Sequence, residues 1–89
     1  MTRALVHGLV RDVIPAEARG RPVRAGTEFS RIGIGPWQRQ RFFGPVRRAL
    51  LRRAVDIREA GVTRESFRDF RGLPDVHAAV WRAVELARG

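Results

Sequence analysis

The sequence predicts a mainly α-helical single domain. A three-helix C-terminal unit over residues 44–89 holds a helical hairpin, and a basic N-terminal segment, residues 1–43, precedes it with short β or extended pieces. Three observations carry this. Val46, Ala49, Leu50, Ala54 and Ile57 recur at the spacing of one helix face, and Val76, Ala79, Val80, Ala83, Val84 and Ala87 do so again. Gly61 and Thr63, then Gly72 and Pro74, punctuate the chain between those stripes as helix stops and starts. Before residue 44, Gly-Pro steps at Gly35-Pro36 and Gly44-Pro45 cut the chain into short pieces.

Residues 2–14 carry two signals. Val6, Leu9, Val10, Val13 and Ile14 have helical spacing, but Gly8 sits among them and four of the five are β-branched, which tips the balance to a strand ended by Pro15. Residues 15–28 form a loop with turn chemistry at Gly20-Arg21-Pro22 and Ala25-Gly26-Thr27, and Arg19, Arg21 and Arg24 make it a basic arm or a solvated surface loop. Residues 29–36 read as a second, glycine-weakened strand. Trp37, Phe42 and Phe43 suit either the core or a stacking platform, and the core is favoured because small domains need their large rings inside.

The first helix of the C-terminal unit starts at Gly44-Pro45, proline being favoured at a first helical position, and stops at Gly61. Its cations stand in the N-terminal half, against the helix dipole. Arg48 and Arg52 share its wet face, with Arg47 and Arg53 bordering the apolar stripe. Thr63 caps a short second helix whose inner side carries Phe67 and Phe70. The third helix runs from Pro74 to Arg88, with Trp81 at the core edge and His77 as a half-buried structural histidine.

At 89 residues and 44% apolar content the chain supports one modest core. No apolar run is long enough to span a bilayer, and the N-terminus lacks the pattern of a cleaved leader, so a cytoplasmic protein with no membrane partner is expected. The absence of cysteine removes disulfides and thiol chemistry. His7 and His77 have no third ligand at metal spacing, and Lys, Tyr and Cys are missing, so no catalysis, metal or cofactor is expected.

The formal net charge is +9, and it is unevenly placed. Residues 1–53 hold twelve Arg and three acids, whereas residues 54–89 hold six of each. The stretch Phe29–Arg53 has seven Arg, namely Arg31, Arg39, Arg41, Arg47, Arg48, Arg52 and Arg53, with no acid and four aromatic rings among them. Guanidinium groups bind phosphates bidentately and flat rings stack on bases, so a nucleic-acid partner is expected at these residues. The competing expectation is a structural or adaptor subunit of a larger assembly, such as a phage particle. There the same stretch docks on an acidic protein face, and the small-residue stripe of the last helix suits self-association, for example as a homodimer.

Residues 56–70, DIREAGVTRESFRDF, resemble the helix-turn-helix of TetR-type repressors through Ala60-Gly61-Val62-Thr63-Arg64 and the aromatic at Phe67. The resemblance implies DNA binding, more than RNA binding, and transcriptional regulation, with Thr63, Arg64, Glu65, Ser66 and Arg68 facing the major groove. It covers about fifteen residues. Arg68 stands where the family has a second aromatic, Phe70 comes one residue early, and the family's large ligand-binding domain is absent. A ribbon-helix-helix reading, with a strand near Arg24–Ile34, fits less well because the second helix is too short.

Overall fold

The computed structural model describes residues 1–18 and 23–89, and for Ala16 and Glu17 the backbone alone. The chain is mainly helical, and among the described residues there is no strand. Helix α1 spans Arg3–Glu17, a single turn α2 spans Pro36–Arg39, α3 spans Phe43–Leu51 and α4 spans Leu73–Arg88. Short 3-10 turns occupy Phe29–Ile32, Gln40–Phe42, Ile57–Ala60 and Glu65–Asp69. The turn expected at Gly20-Arg21-Pro22, with Arg19 and Arg21, lies outside the described residues.

The strand expected over residues 2–14 is instead α1. Thr2 opens it, its hydroxyl accepting the Leu5 N–H at 3.2 Å. Val6, Val10 and Ile14 are buried on one face. With no neighbouring strand, backbone N–H groups are satisfied only within a helix, and this outweighs the few tenths of a kcal/mol each that β-branched residues cost there. Pro15 does not end the element, which continues to Glu17, and the Ala18 N–H still reaches the Ile14 carbonyl at 2.8 Å. Helix α1 lies antiparallel to α4, since Arg88 bonds the Met1 carbonyl, Arg3 covers Trp81 at 4.5 Å and His7 meets His77 at 4.1 Å between centroids.

The second expected strand is also absent. Phe29 and Ile34 are both buried, and residues five apart would lie on opposite faces of a strand. The chain coils through the Phe29–Ile32 turn, then reverses at Gly33 with φ +78°. It is tied to the start of α4 by the Phe29 N–H to the Arg71 carbonyl at 2.8 Å. Gly72 permits that approach, because a Cβ there would stand 2.7 Å from the Thr27 carbonyl oxygen.

The helix expected from Gly44 to Gly61 stops after Leu51. Val46 and Val55 are both buried, yet nine residues apart they would face opposite sides of one helix, so the chain must turn between them. It does so in a Schellman motif. The Val55 N–H reaches the Leu50 carbonyl and the Ala54 N–H the Leu51 carbonyl, both at 3.0 Å, with Ala54 left-handed at φ +60°. Two consequences follow for the charges. Arg48 now falls in the last turn of α3, where the dipole favours cations, so the expected dipole penalty is absent. Beyond the turn, the Asp56 carboxylate accepts the Arg58 N–H at 3.0 Å, and the chain winds into a 3-10 turn in place of further α-helix.

The second expected helix is likewise a single 3-10 turn, Glu65–Asp69, so residues 56–70 hold two 3-10 turns and no α-helix. Gly61 does make the turn between them, at φ +76°. The Thr63 cap is inverted: the Thr63 N–H donates to the Ser66 hydroxyl at 3.0 Å. Helix α4 matches its expected span, with Leu73, Val76, Val80, Ala83 and Val84 buried and Ala87 exposed. Phe29, Phe42 and Phe67 fill the centre.

Ala54 is the chain's one described non-glycine residue at positive φ, and its side chain is exposed. A left-handed L-residue costs roughly 1–2 kcal/mol, of which glycine's freedom in the unfolded chain offsets roughly 0.4–1. Ala54→Gly is therefore expected to stabilise the fold by about 0.5–1 kcal/mol, read as a rise of several degrees in Tm by circular dichroism. A lower Tm would contradict the turn geometry.

Burial of the ring, and then the neighbouring His7, hold His77 below the usual imidazole range. The unfolded chain then takes up this proton at a higher pH than the fold does. Stability is complete above the ordinary value of 6.5 and declines as pH falls below it. Thermal melts between pH 7.5 and 5.5 should show a falling Tm, with a smaller fall in His77→Gln.

Candidate nucleic-acid interface

From Pro36 to Arg52 the backbone winds right-handed through α2, the Gln40–Phe42 turn and α3. Phe42, Val46 and Leu50 are buried along its inner side. At about 100–120° per residue, Trp37, Arg41, Arg48 and Arg52 fall within about a third of the circumference on the opposite side, and all four are exposed. The inner stripe at Val46 and Leu50, extended backward, reaches Phe42 and leaves Trp37 outside. That phase was readable in the sequence, but the preference for burying large rings obscured it. Trp37 is 67% exposed, which corrects its assignment to the core, whereas Phe42 is buried and Phe43 half-buried as expected.

The expected phosphate-binding arginines separate into free and committed groups. Arg39 is committed. Its Nε donates to the Ile34 carbonyl at 3.1 Å, and one terminal nitrogen donates to the carbonyls of Arg68 at 2.7 Å and Phe70 at 3.1 Å. Arg47 is half-buried with its Nε enclosed. Arg31 is exposed but stands 3.6 Å from the Glu28 carboxylate, an ion pair worth little in water. Arg41, Arg48, Arg52 and Arg53 are exposed, and no described carboxylate makes an ion pair with them. Arg52 and Arg53 also border a groove of about 530 Å3 between α1 and α3, with Leu5, Gly8 and Asp12 on its other wall.

Of the residues implied by the helix-turn-helix resemblance, Thr63 and Arg64 are exposed at the start of the Glu65–Asp69 turn. Arg68 is half-buried and engaged: its guanidinium carbon lies 4.5 Å from the Trp37 ring centroid, and its Nε donates to Gln40 Oε1 at 3.0 Å. The Trp37–Arg68 stack is the element that sequence reasoning missed, since 31 residues separate its partners and no local pattern joins them.

The acids serve nearby groups. Hydrogen bonds from the Arg58 side chain and backbone hold Asp56 below the usual carboxylate range. Glu65 is lowered in the same direction by its own backbone N–H and then by the Thr63 hydroxyl. One Asp75 oxygen accepts the Arg71 N–H at 2.7 Å. Among the described residues no three His, Asp or Glu side chains come together to hold a metal ion, and no helix is long and apolar enough to cross a membrane. No family model matches the chain, and neither the curated proteins nor the solved structures contain a match to it.

Arg39 and Arg41 therefore differ sharply in what their loss costs. Arg39→Ala leaves three carbonyls without this donor and should lower stability by about 2–3 kcal/mol in urea unfolding, with Arg39→Lys restoring only part because an ammonium lacks the planar fork. Arg41→Ala should stay within about 0.5 kcal/mol of the parent.

Proposed function

We propose that this chain is a small, non-enzymatic nucleic-acid-binding protein that holds phosphates on the outward face of α2 and α3. The observation that carries the reading is the set Arg41, Arg48 and Arg52, aligned on one exposed face with no described carboxylate paired to them. Neutralising phosphates there releases counterions, which supplies affinity without requiring a particular base sequence. Arg53 and Arg64 are exposed cations as well. DNA is the expected polymer through the resemblance at residues 56–70, while the phosphate face itself suits DNA and RNA alike. A transcriptional regulator would need Thr63, Arg64 and Arg68 to read bases. Arg68 is engaged with Trp37 and Gln40, so the phosphate face carries the proposal without them.

The exposed Trp37 favours a second reading, a non-enzymatic adaptor that docks through this ring on an acidic protein face. Such a protein would purify as a defined assembly free of nucleic acid.

Fluorescence anisotropy with labelled duplex DNA, single-stranded DNA and RNA between about 50 and 300 mM salt tests the proposal. Affinity should fall with salt at a log-log slope of about 0.9 per duplex contact, and the triple variant Arg41→Gln, Arg48→Gln, Arg52→Gln should flatten that slope by about 2–3. Salt-independent affinity, or no binding at low salt, would overturn it.

A further inference from the structure

We infer that Trp37 is a stacking platform for an unpaired nucleobase, so that the polymer held on this face is single-stranded. The inference rests on the nucleic-acid reading above and deepens it.

Five phenylalanines and two tryptophans make up the chain's aromatic set, and the three most buried rings are Phe29, Phe42 and Phe67. Trp37 is the largest exposed apolar side chain among the described residues. Leaving two thirds of an indole in water forgoes most of the free energy of burying it, and leaves that surface open to a ligand. The ring is also not loose. It sits in the first turn of a helix opened by Gly35-Pro36, where the Gln38 side chain accepts the Gly35 N–H at 2.6 Å. The Arg68 guanidinium backs the ring, and that guanidinium is itself held by Gln40. The Arg68 main chain is in turn held by Arg39. Each partner of the stack is thus anchored to a helical element, which lowers the ordering cost of binding.

A guanidinium behind an indole makes a cationic, planar sandwich half. No other described ring or guanidinium stacks on Trp37. A nucleobase is the planar group that comes attached to phosphates, and the phosphate-binding arginines begin one helical turn away at Arg41. In a duplex, base faces are covered by neighbouring pairs and only edges and backbone are presented. A protein ring meets a base face where the base is unpaired. From Trp37 to Arg52 the helical run covers about 22–25 Å, room for about seven nucleotides at a stacked rise of roughly 3.4 Å. An acidic peptide would satisfy the arginines, but the carboxylates that do so are not the groups that stack on the ring, whereas every nucleotide carries both a phosphate and a planar base.

The test compares the parent with Trp37→Ala, Trp37→Phe and the triple Arg41, Arg48, Arg52→Gln variant. Each is checked for an unchanged melting temperature, then titrated by anisotropy against a twelve-nucleotide single strand, the same strand with abasic sites, and a blunt duplex hairpin. Trp37→Ala should weaken single-strand binding about 5- to 150-fold, leave the hairpin and the abasic strand within about twofold, and be largely rescued by Trp37→Phe. Equal weakening on all three ligands, or none on the single strand, overturns the stacking inference. If the triple variant still loses salt dependence in that case, the phosphate-binding reading survives. If the parent binds no nucleic acid at low salt, both fall together.

Discussion

A single guanidinium, bonded to main-chain carbonyls, ties together segments of this small protein that lie far apart in sequence. Arg39 projects from α2 and binds the carbonyls of Ile34, Arg68 and Phe70. Those carbonyls belong to the segment before α2 and to the distant turn at Glu65–Asp69 and its exit. Neither segment has the length of an independently stable helix, so each relies on tertiary bonds to hold its shape. The Arg39 fork joins them, and the Arg68 side chain is thereby carried to the Trp37 ring. Packing adds to this: Phe67 sits 4.8 Å from Phe70 and 6.1 Å from Phe43 between ring centroids. The outward stack and the inward core are two sides of the same junction.

The division of charge follows from how the chain turns. Three acids near breaks in the helices are used at short range, Asp56 by Arg58, Glu65 by its own backbone N–H and Thr63, and Asp75 by the Arg71 N–H. Helix α3 has no acid of its own, and the Schellman turn at Ala54 takes the following acids off its axis. The outcome is a helix whose inner side is apolar and whose outer side carries arginines in water. Arg48 is close enough to the C-terminal end of α3 to gain from the dipole, so this face does not strain the helix that bears it.

Much of the fold was legible in local pattern. The α4 span, the turn at Gly61 and the outward direction of Arg48 and Arg52 all follow from periodicity and capping chemistry. The errors share a cause. Over residues 2–14 intrinsic propensity favours a strand, and the packing of Val6, Val10 and Ile14 in a core with no strand among the described residues overrides it. The helices expected across 52–60 and from Thr63 were broken because Val55, Ile57, Val62 and Phe67 must all reach one interior, which no straight helix allows. Composition groups Arg39 and Arg47 with the surface arginines, since it cannot tell a guanidinium that binds carbonyls, as Arg39 does, or one half enclosed, as Arg47 is, from one that faces solvent.

What the sequence determined by itself is the material: excess cation confined to the first 53 residues, a final helix with a clean apolar stripe, and breaks at Gly35, Gly61 and Gly72 whose backbone preferences are local. These depend on neighbours within a few residues and can be read without coordinates. Only the tertiary structure decided which arginines are spent and which remain free, and that Trp37 lies outside with Arg68 behind it. Those outcomes depend on contacts across about thirty residues of chain, where the closing of the fold, and not any local preference, selects the partner.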